Sequence, residues 1–179
     1  MQLSPLQLLE YTFDGVSVMP VAGYVADPEY STDLVFFPGK LALSADTGLA
    51  LLTEEASYSD FGVRLTLRVG PKEDSVAPYQ VQVSVRGVVR MHLTQASGQA
   101  EERRVRALVN GVSMLYGVVR EMVSNITSRS AHGQLLLPSL SFADLAKHMA
   151  NDTIAVSDPI LNASKTKVRK AAVSKAKAK

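Results

Sequence analysis

The stretch YQVQVSVRGVVRMHL (residues 79–93), followed after a polar break by EERRVRALVNGVSMLYGVVREMVSNITS (residues 101–128), decides the fold. In the first segment Tyr79, Val81, Val83 and Val85 alternate with Gln80, Gln82, Ser84 and Arg86, the period-two signature of a strand with one buried and one wet face. Gly87 interrupts that alternation and is expected to mark a bulge. Beyond Ser97-Gly98-Gln99 the period changes to about 3.6. Leu108, Val112, Leu115, Tyr116, Val119, Met122, Val123 and Ile126 recur at helical spacing, so residues 101–128 are one amphipathic helix, or a short one joined to a long one at Asn110-Gly111.

Upstream, Phe61–Val69 alternates as cleanly, and Gly70-Pro71-Lys72-Glu73-Asp74 turns it back, so this segment and residues 79–93 read as a hairpin. Residues 7–21 show only partial alternation, through Tyr11, Phe13, Val16, Val18 and Val21, with Gly15 placed for a bulge or bend. Leu34–Phe37 and Lys40–Ala45 read as a second strand interrupted at Pro38-Gly39. Downstream, Gly133 and Pro138 stop the helix and leave Leu135, Leu136 and Leu137 on a loop. Ser141 followed by Asp144 resembles a capping box that opens a short helix over about Phe142–Ala150. Strands followed by helices predict an α+β domain: a four-stranded antiparallel sheet with one long and one short helix packed on one face.

The 179 residues, 46% hydrophobic and 20% charged, fit one globular domain over residues 1–150. A net charge of +2 conceals an asymmetry. From Asn162 onward there are seven bases and no acids, which leaves 12 bases against 17 acids, or −5, for the rest. Residues 151–179 are expected to be a basic, disordered tail. Met1-Gln2-Leu3-Ser4-Pro5-Leu6 carries no basic stretch ahead of an apolar one, and no run approaches about 18 apolar residues, so neither export nor membrane insertion is expected and the location is read as cytoplasmic.

Chemistry is scarce. With no cysteine there is no disulfide framework, thiol nucleophile or Cys-ligated metal. His92, His132 and His148 fall in different elements without metal-ligand spacing. Gly39-Lys40 lacks the rest of a phosphate-binding loop, and no G-x-S-x-G elbow is present. No catalytic residue, metal or cofactor is therefore assigned, and the reading is non-enzymatic. The apolar run at residues 135–137, continued by Leu140 and Phe142, is unusual for a loop; it either covers the core or walls a groove for another chain.

Residues 114–129 (MLYGVVREMVSNITSR), running on through Gln134-Leu135-Leu136-Leu137-Pro138 to Phe142-Ala143-Asp144-Leu145, resemble the long helix, crossover loop and start of the second helix of the SecB family of protein-export chaperones. Tyr11-Thr12 with Asp14 and Pro20 resembles the family's first strand, and Gly87 stands where its fourth strand carries a glycine. The likeness covers about residues 7–150. It implies an ATP-independent holdase for unfolded or pre-secretory polypeptides, acting in export and translocation or for a dedicated client, and assembled as a homotetramer that is a dimer of dimers. On that basis Leu136, Leu140, Phe142, Leu145 and Met149 would line the client groove, with Phe36 or Phe37 as its floor. Val112, Leu115, Tyr116, Val119, Met122, Val123 and Ile126 would form the oligomer interface, which would bury the surplus width of the helix stripe.

The family's partner SecA engages an acidic sheet face and a short tail. Asp14 matches one acid of that face, but Val18 and Gln82 stand where the others belong, and the tail here is long and basic. These departures put SecA partnership in doubt and leave room for a specialised relative, such as a chaperone of a toxin–antitoxin system or a non-export scaffold. The tail offers weak, non-specific nucleic acid binding by counterion release as a rival activity.

Overall fold

The computed structural model describes residues 4–25, 41–72, 77–93 and 98–146. Four strands precede one helix: β1 (Leu6–Pro20), β2 (Leu41–Glu54), β3 (Tyr58–Pro71), β4 (Tyr79–His92) and α1 (Ala100–Thr127). The strands form one antiparallel sheet in the order β1-β4-β3-β2, with β1 and β2 at its edges. This is the α+β class expected from the change of period.

The odd-numbered residues of β3 and β4 turn one way, and α1 lies across them. Val63, Leu65, Leu67, Val81, Val83, Val85 and Val89 are sealed beneath it. The other face carries Arg64, Thr66, Arg68, Gln80, Gln82 and Arg86, none of them buried. A side-chain period of two thus divides the sheet into an apolar face and a wet one.

β1 obeys the same rule, which its sequence disguises. Its register against β4 slips between Leu8 and Glu10 and again between Phe13 and Gly15, so Leu9 and Asp14 are the extra residues of two bulges. Each slip reverses the phase. Leu6, Leu8, Tyr11, Phe13, Val16 and Val18 oppose Met91, Val89, Gly87, Val85, Val83 and Val81, and therefore all lie on the helix side. The partial alternation is complete once the bulges are counted, and the bend expected near Gly15 is the second of them.

Several boundaries differ from the sequence reading. β2 runs through Ala45 to Glu54, although Asp46 and Gly48 are weak strand formers. Pairing with β3 from Leu41↔Pro71 to Glu54↔Ser59 supplies the ladder that local propensity does not. Residues 34–40, including Phe36, Phe37 and the Pro38-Gly39 break, lie outside the described residues. So do residues 147–150 of the expected short helix, of which only 145–146 are described as helical, and the whole of residues 151–179.

Gly87 is not a bulge, because β4 keeps its register on both sides of it. Its role is close approach. A Cβ there would stand 2.9 Å from the Glu10 carbonyl oxygen and 3.0 Å from side-chain carbons of Leu115 and Leu8. Nor does α1 break at Asn110-Gly111. It is continuous, and a Cβ on Gly111 would meet Val63 Cγ2 at 2.8 Å. Glu101 and Glu102 occupy the first turn of α1, where the helix dipole favours acids.

Two glycine substitutions should move stability in opposite directions, as measured by urea denaturation. Gly87→Ala is expected to destabilise by about 1–3 kcal/mol, since its new methyl meets a backbone oxygen that cannot move alone. Gly117→Ala, on the exposed side of α1 with nothing within 4 Å of the added carbon, is expected to stabilise by about 0.5–1 kcal/mol.

Candidate functional site

The apolar loop foreseen at residues 135–137 becomes a crossover segment that doubles back along α1, and three hydroxyls fix its path. Thr127, fully buried in the last turn of α1, donates to the Val123 carbonyl at 2.8 Å and accepts from the Leu135 amide at 2.8 Å. The Tyr79 hydroxyl, at the start of β4, accepts from the His132 amide at 3.0 Å and donates to the Gly133 carbonyl at 2.8 Å. Further on, the Tyr116 hydroxyl donates to the Pro138 carbonyl at 2.6 Å. Backbone groups that a buried loop would leave unpaired are in this way satisfied from strand and helix.

The turn into this segment uses Gly133 at φ 76°, a left-handed conformation that costs glycine nothing. The ring of His132 packs between Tyr24 and Tyr79, with centroids 5.1 and 5.6 Å away, and its Nε2 lies 3.3 Å from the Val21 carbonyl oxygen. The end of β1, the start of β4 and the crossover are thereby tied together at one end of the sheet.

Beyond the turn, residues 135–137 alternate as an extended segment does. Leu135 and Leu137 are buried, while Leu136 is turned outward and 37% exposed. Phe142 is buried with its ring edge against Tyr116, centroids 5.5 Å apart. Leu140 and Leu145 are half-buried against the core. Arg120 reaches Ser139 at 3.4 Å and marks the polar margin. Burial pushes the Tyr116 phenol up to about 12, although the Arg120 guanidinium pulls the other way.

Of the residues expected to line a groove, Leu136, Leu140, Phe142 and Leu145 come together on this crossover. Phe36, Phe37 and Met149 lie outside the described residues. Of those expected at an oligomer interface, Val112, Leu115, Tyr116, Val119 and Val123 are buried within the chain itself, and only Met122 and Ile126 keep surface. The width of the helix stripe has a cause inside the protomer, because one flank faces the sheet and the other faces the crossover. Asp14, the extra residue of the second bulge, faces Arg86 at 3.3 Å. Val18 lies on the helix side opposite Val81, and Gln82 on the outer side.

Tyr79, Thr127 and His132 escaped the sequence reading as site residues. No local signal marks them, since each acts on backbone at least eight residues away in the chain. Among the described residues no group of His, Asp and Glu could hold a metal ion, and no helix is long and apolar enough to cross a membrane.

No protein-family model matches the chain, and no curated protein matches it. Among solved structures it is similar to a SecB-like chaperone of Mycobacterium tuberculosis in complex with a ChAD peptide from the HigA1 antitoxin, at 20% identity and a TM-score of 0.47. That match covers 76% of this chain and 91% of the other. It is also similar to a protein of unknown function from Streptococcus agalactiae, at 11% identity and a TM-score of 0.45, over 74% of this chain and 96% of the other.

The Tyr116 latch gives an alkaline signature. Its phenol holds the proton more tightly folded than at its ordinary value of 10, so its contribution is whole below about pH 10 and is lost as the pH rises toward about 12. Tyr116→Phe should cost about 1–3 kcal/mol at neutral pH, because the Pro138 carbonyl loses its donor. Urea midpoints from pH 8 to 12 should fall less steeply for the variant than for the parent chain.

Proposed function

We propose that the chain is an ATP-independent holdase that binds exposed apolar stretches of non-native polypeptides along its crossover segment. The observation that carries this is the alternation of that segment. Leu135 and Leu137 anchor it in the core and Leu136 faces outward, with the half-buried Leu140 and Leu145 further along the same segment. An apolar row on a backbone that is pinned by hydrogen bonds at residues 132, 133, 135 and 138 can offer contact area in a fixed position. A folded protein, exposing no long apolar stretch, would gain little from it.

The resemblance of residues 114–145 to the SecB helix and crossover supports the same reading. Each contact buries modest area at about 25 cal/mol per Å², so single sites are weak and linked sites on one assembly gain effective concentration. The apolar surface left for assembly includes Met122 and Ile126 on α1, together with Tyr11 and Val16 of β1 and Leu51 of β2, which lie on the helix side yet are exposed. A dimer of dimers would cover it. Asp14, tied to Arg86, is a poor sole survivor of an acidic SecA-binding face, which favours a dedicated client over general export.

The test is light scattering from an unfolded client diluted into buffer without ATP. The parent chain at tetramer stoichiometry should suppress aggregation, and Leu140→Asp and Leu145→Asp should abolish the suppression while circular dichroism and particle size stay unchanged. Loss of fold in both variants would reassign these leucines to the core. Lack of suppression by the parent chain would leave a dedicated chaperone or a scaffold, which co-purification of a client separates.

A further inference from the structure

The outer face of the sheet, opposite α1, carries a pairing that the fold does not need. Arg64 of β3 stands directly across from Arg86 of β4, flanked by Thr12 of β1 and Gly48 of β2. Like charges directly opposite on antiparallel strands, with Cβ atoms about 5 Å apart, destabilise a sheet. Of the two, Arg86 alone has a carboxylate partner, and two further acids of this face are taken by other arginines. Asp14 pairs Arg86 across β1 and β4, Asp60 pairs Arg90 across β3 and β4, and Asp46 pairs Arg68 across β2 and β3. Arg64 is exposed and makes no ion pair or hydrogen bond among the described residues, and Glu10 stands two strands away on β1.

We propose that this face docks an acidic polypeptide segment, whose carboxylates take Arg64 and Arg86 and whose aliphatic side chains lie on the neighbouring row. That row starts at Glu10 on the β1 edge and is low and apolar over the other three strands. Val88 opposes Gly62, Gly62 opposes Ala50, and Leu52 covers Gly62 at 3.4 Å from where a Cβ would sit. The next row on the far side, Gly15, Ser84 and Thr66, is small as well up to Asp46 on the β2 edge, so the two guanidinium groups rise from a floor that is flat across β4 and β3 and that an extended or helical segment can approach.

Charge selects the occupant. The chain's own C-terminal segment from Asn162 carries only bases and is repelled. A nucleic acid would meet the arginines without rings to stack its bases, since the rings on this face, Tyr58 and His92, lie at one end beyond Arg90, whose guanidinium covers Tyr58 at 4.0 Å. An acidic, partly aliphatic polypeptide is what remains, and it would bind on the side of the sheet away from the crossover.

The test uses the full chain and fluorescence anisotropy with three labelled probes: a Glu/Val peptide, its Lys/Val counterpart, and a single-stranded oligodeoxynucleotide. The Glu/Val peptide should bind and the Lys/Val peptide should not. Arg64→Glu and Arg64→Gln should each weaken the Glu/Val peptide by about tenfold, the worth of one charge-assisted hydrogen bond. Arg64→Glu should also raise the urea midpoint, because it turns a like-charge pair into an opposite one, which separates lost binding from lost folding. A triple Lys175→Glu, Lys177→Glu, Lys179→Glu variant should leave that affinity within about twofold. The proposal fails if the tail variant abolishes peptide binding while Arg64→Glu does not. It also fails if Arg64→Glu weakens the oligonucleotide as much as the peptide.

Discussion

The helix can lie as low on the sheet as it does only where side chains are missing from both partners. Gly111 sets α1 over Val63 and Val89 of β3 and β4, and four residues later Leu115 drops into the space above Gly87. A Cβ on either glycine would meet atoms at 2.8–3.0 Å, so the spacing between helix and sheet is fixed by these two points. The rest of the arrangement follows from that height. With α1 held close, the valines of β3 and β4 are short enough to fill the gap, and the next apolar flank of α1 is lifted clear of the sheet and needs another cover.

That cover is the crossover segment, and its hydrogen bonding explains why an apolar loop is tolerable. Thr127 accepts from the Leu135 amide, Tyr79 serves residues 132 and 133, and Tyr116 serves Pro138, so the backbone is paired from beneath at these four residues while the leucines pack. A segment pinned at three points presents its outward side chains in fixed positions. Leu136 is therefore a surface feature with a definite place, which a loosely tethered loop would not provide.

Much of this was legible. The period of two in residues 61–69 and 79–93 and the change to 3.6 in α1 gave the class and the order of elements, because those segments are half-buried and their patterns are unbroken. What was not legible has particular causes. In β1 two bulges shift the phase twice, and a linear reading sees disorder in a strand that is regular in space. In β2 the ladder with β3 overrides Asp46 and Gly48. The breadth of the helix stripe looked like an assembly surface because a period locates an apolar face without saying which partner covers it; most of it is spent inside the protomer. Of the candidate site, the apolar loop was visible as a composition anomaly, but its three anchoring hydroxyls act at a distance in sequence that no motif records.

The wet face obeys a rule of its own. Each of the three strand junctions is bridged by one ion pair: Asp14 with Arg86, Asp60 with Arg90, and Asp46 with Arg68. Asp14 with Arg86 and Asp46 with Arg68, the more exposed pairs, contribute little energy each, on the order of 0–1 kcal/mol, while Asp60 is buried and held by two bonds from Arg90; all three are specific, since a slip of one residue would separate them and turn their side chains to the apolar side. Register is thus held from both faces, by burial on one and by charge on the other. A fourth arginine, Arg64, placed among these pairs and without an ion pair among the described residues, does nothing for register and opposes the pairing it sits in. The sheet is stable enough to carry Arg64 because its other face is sealed by α1, so the tightness of the helix side is what permits an unbalanced charge on the open side.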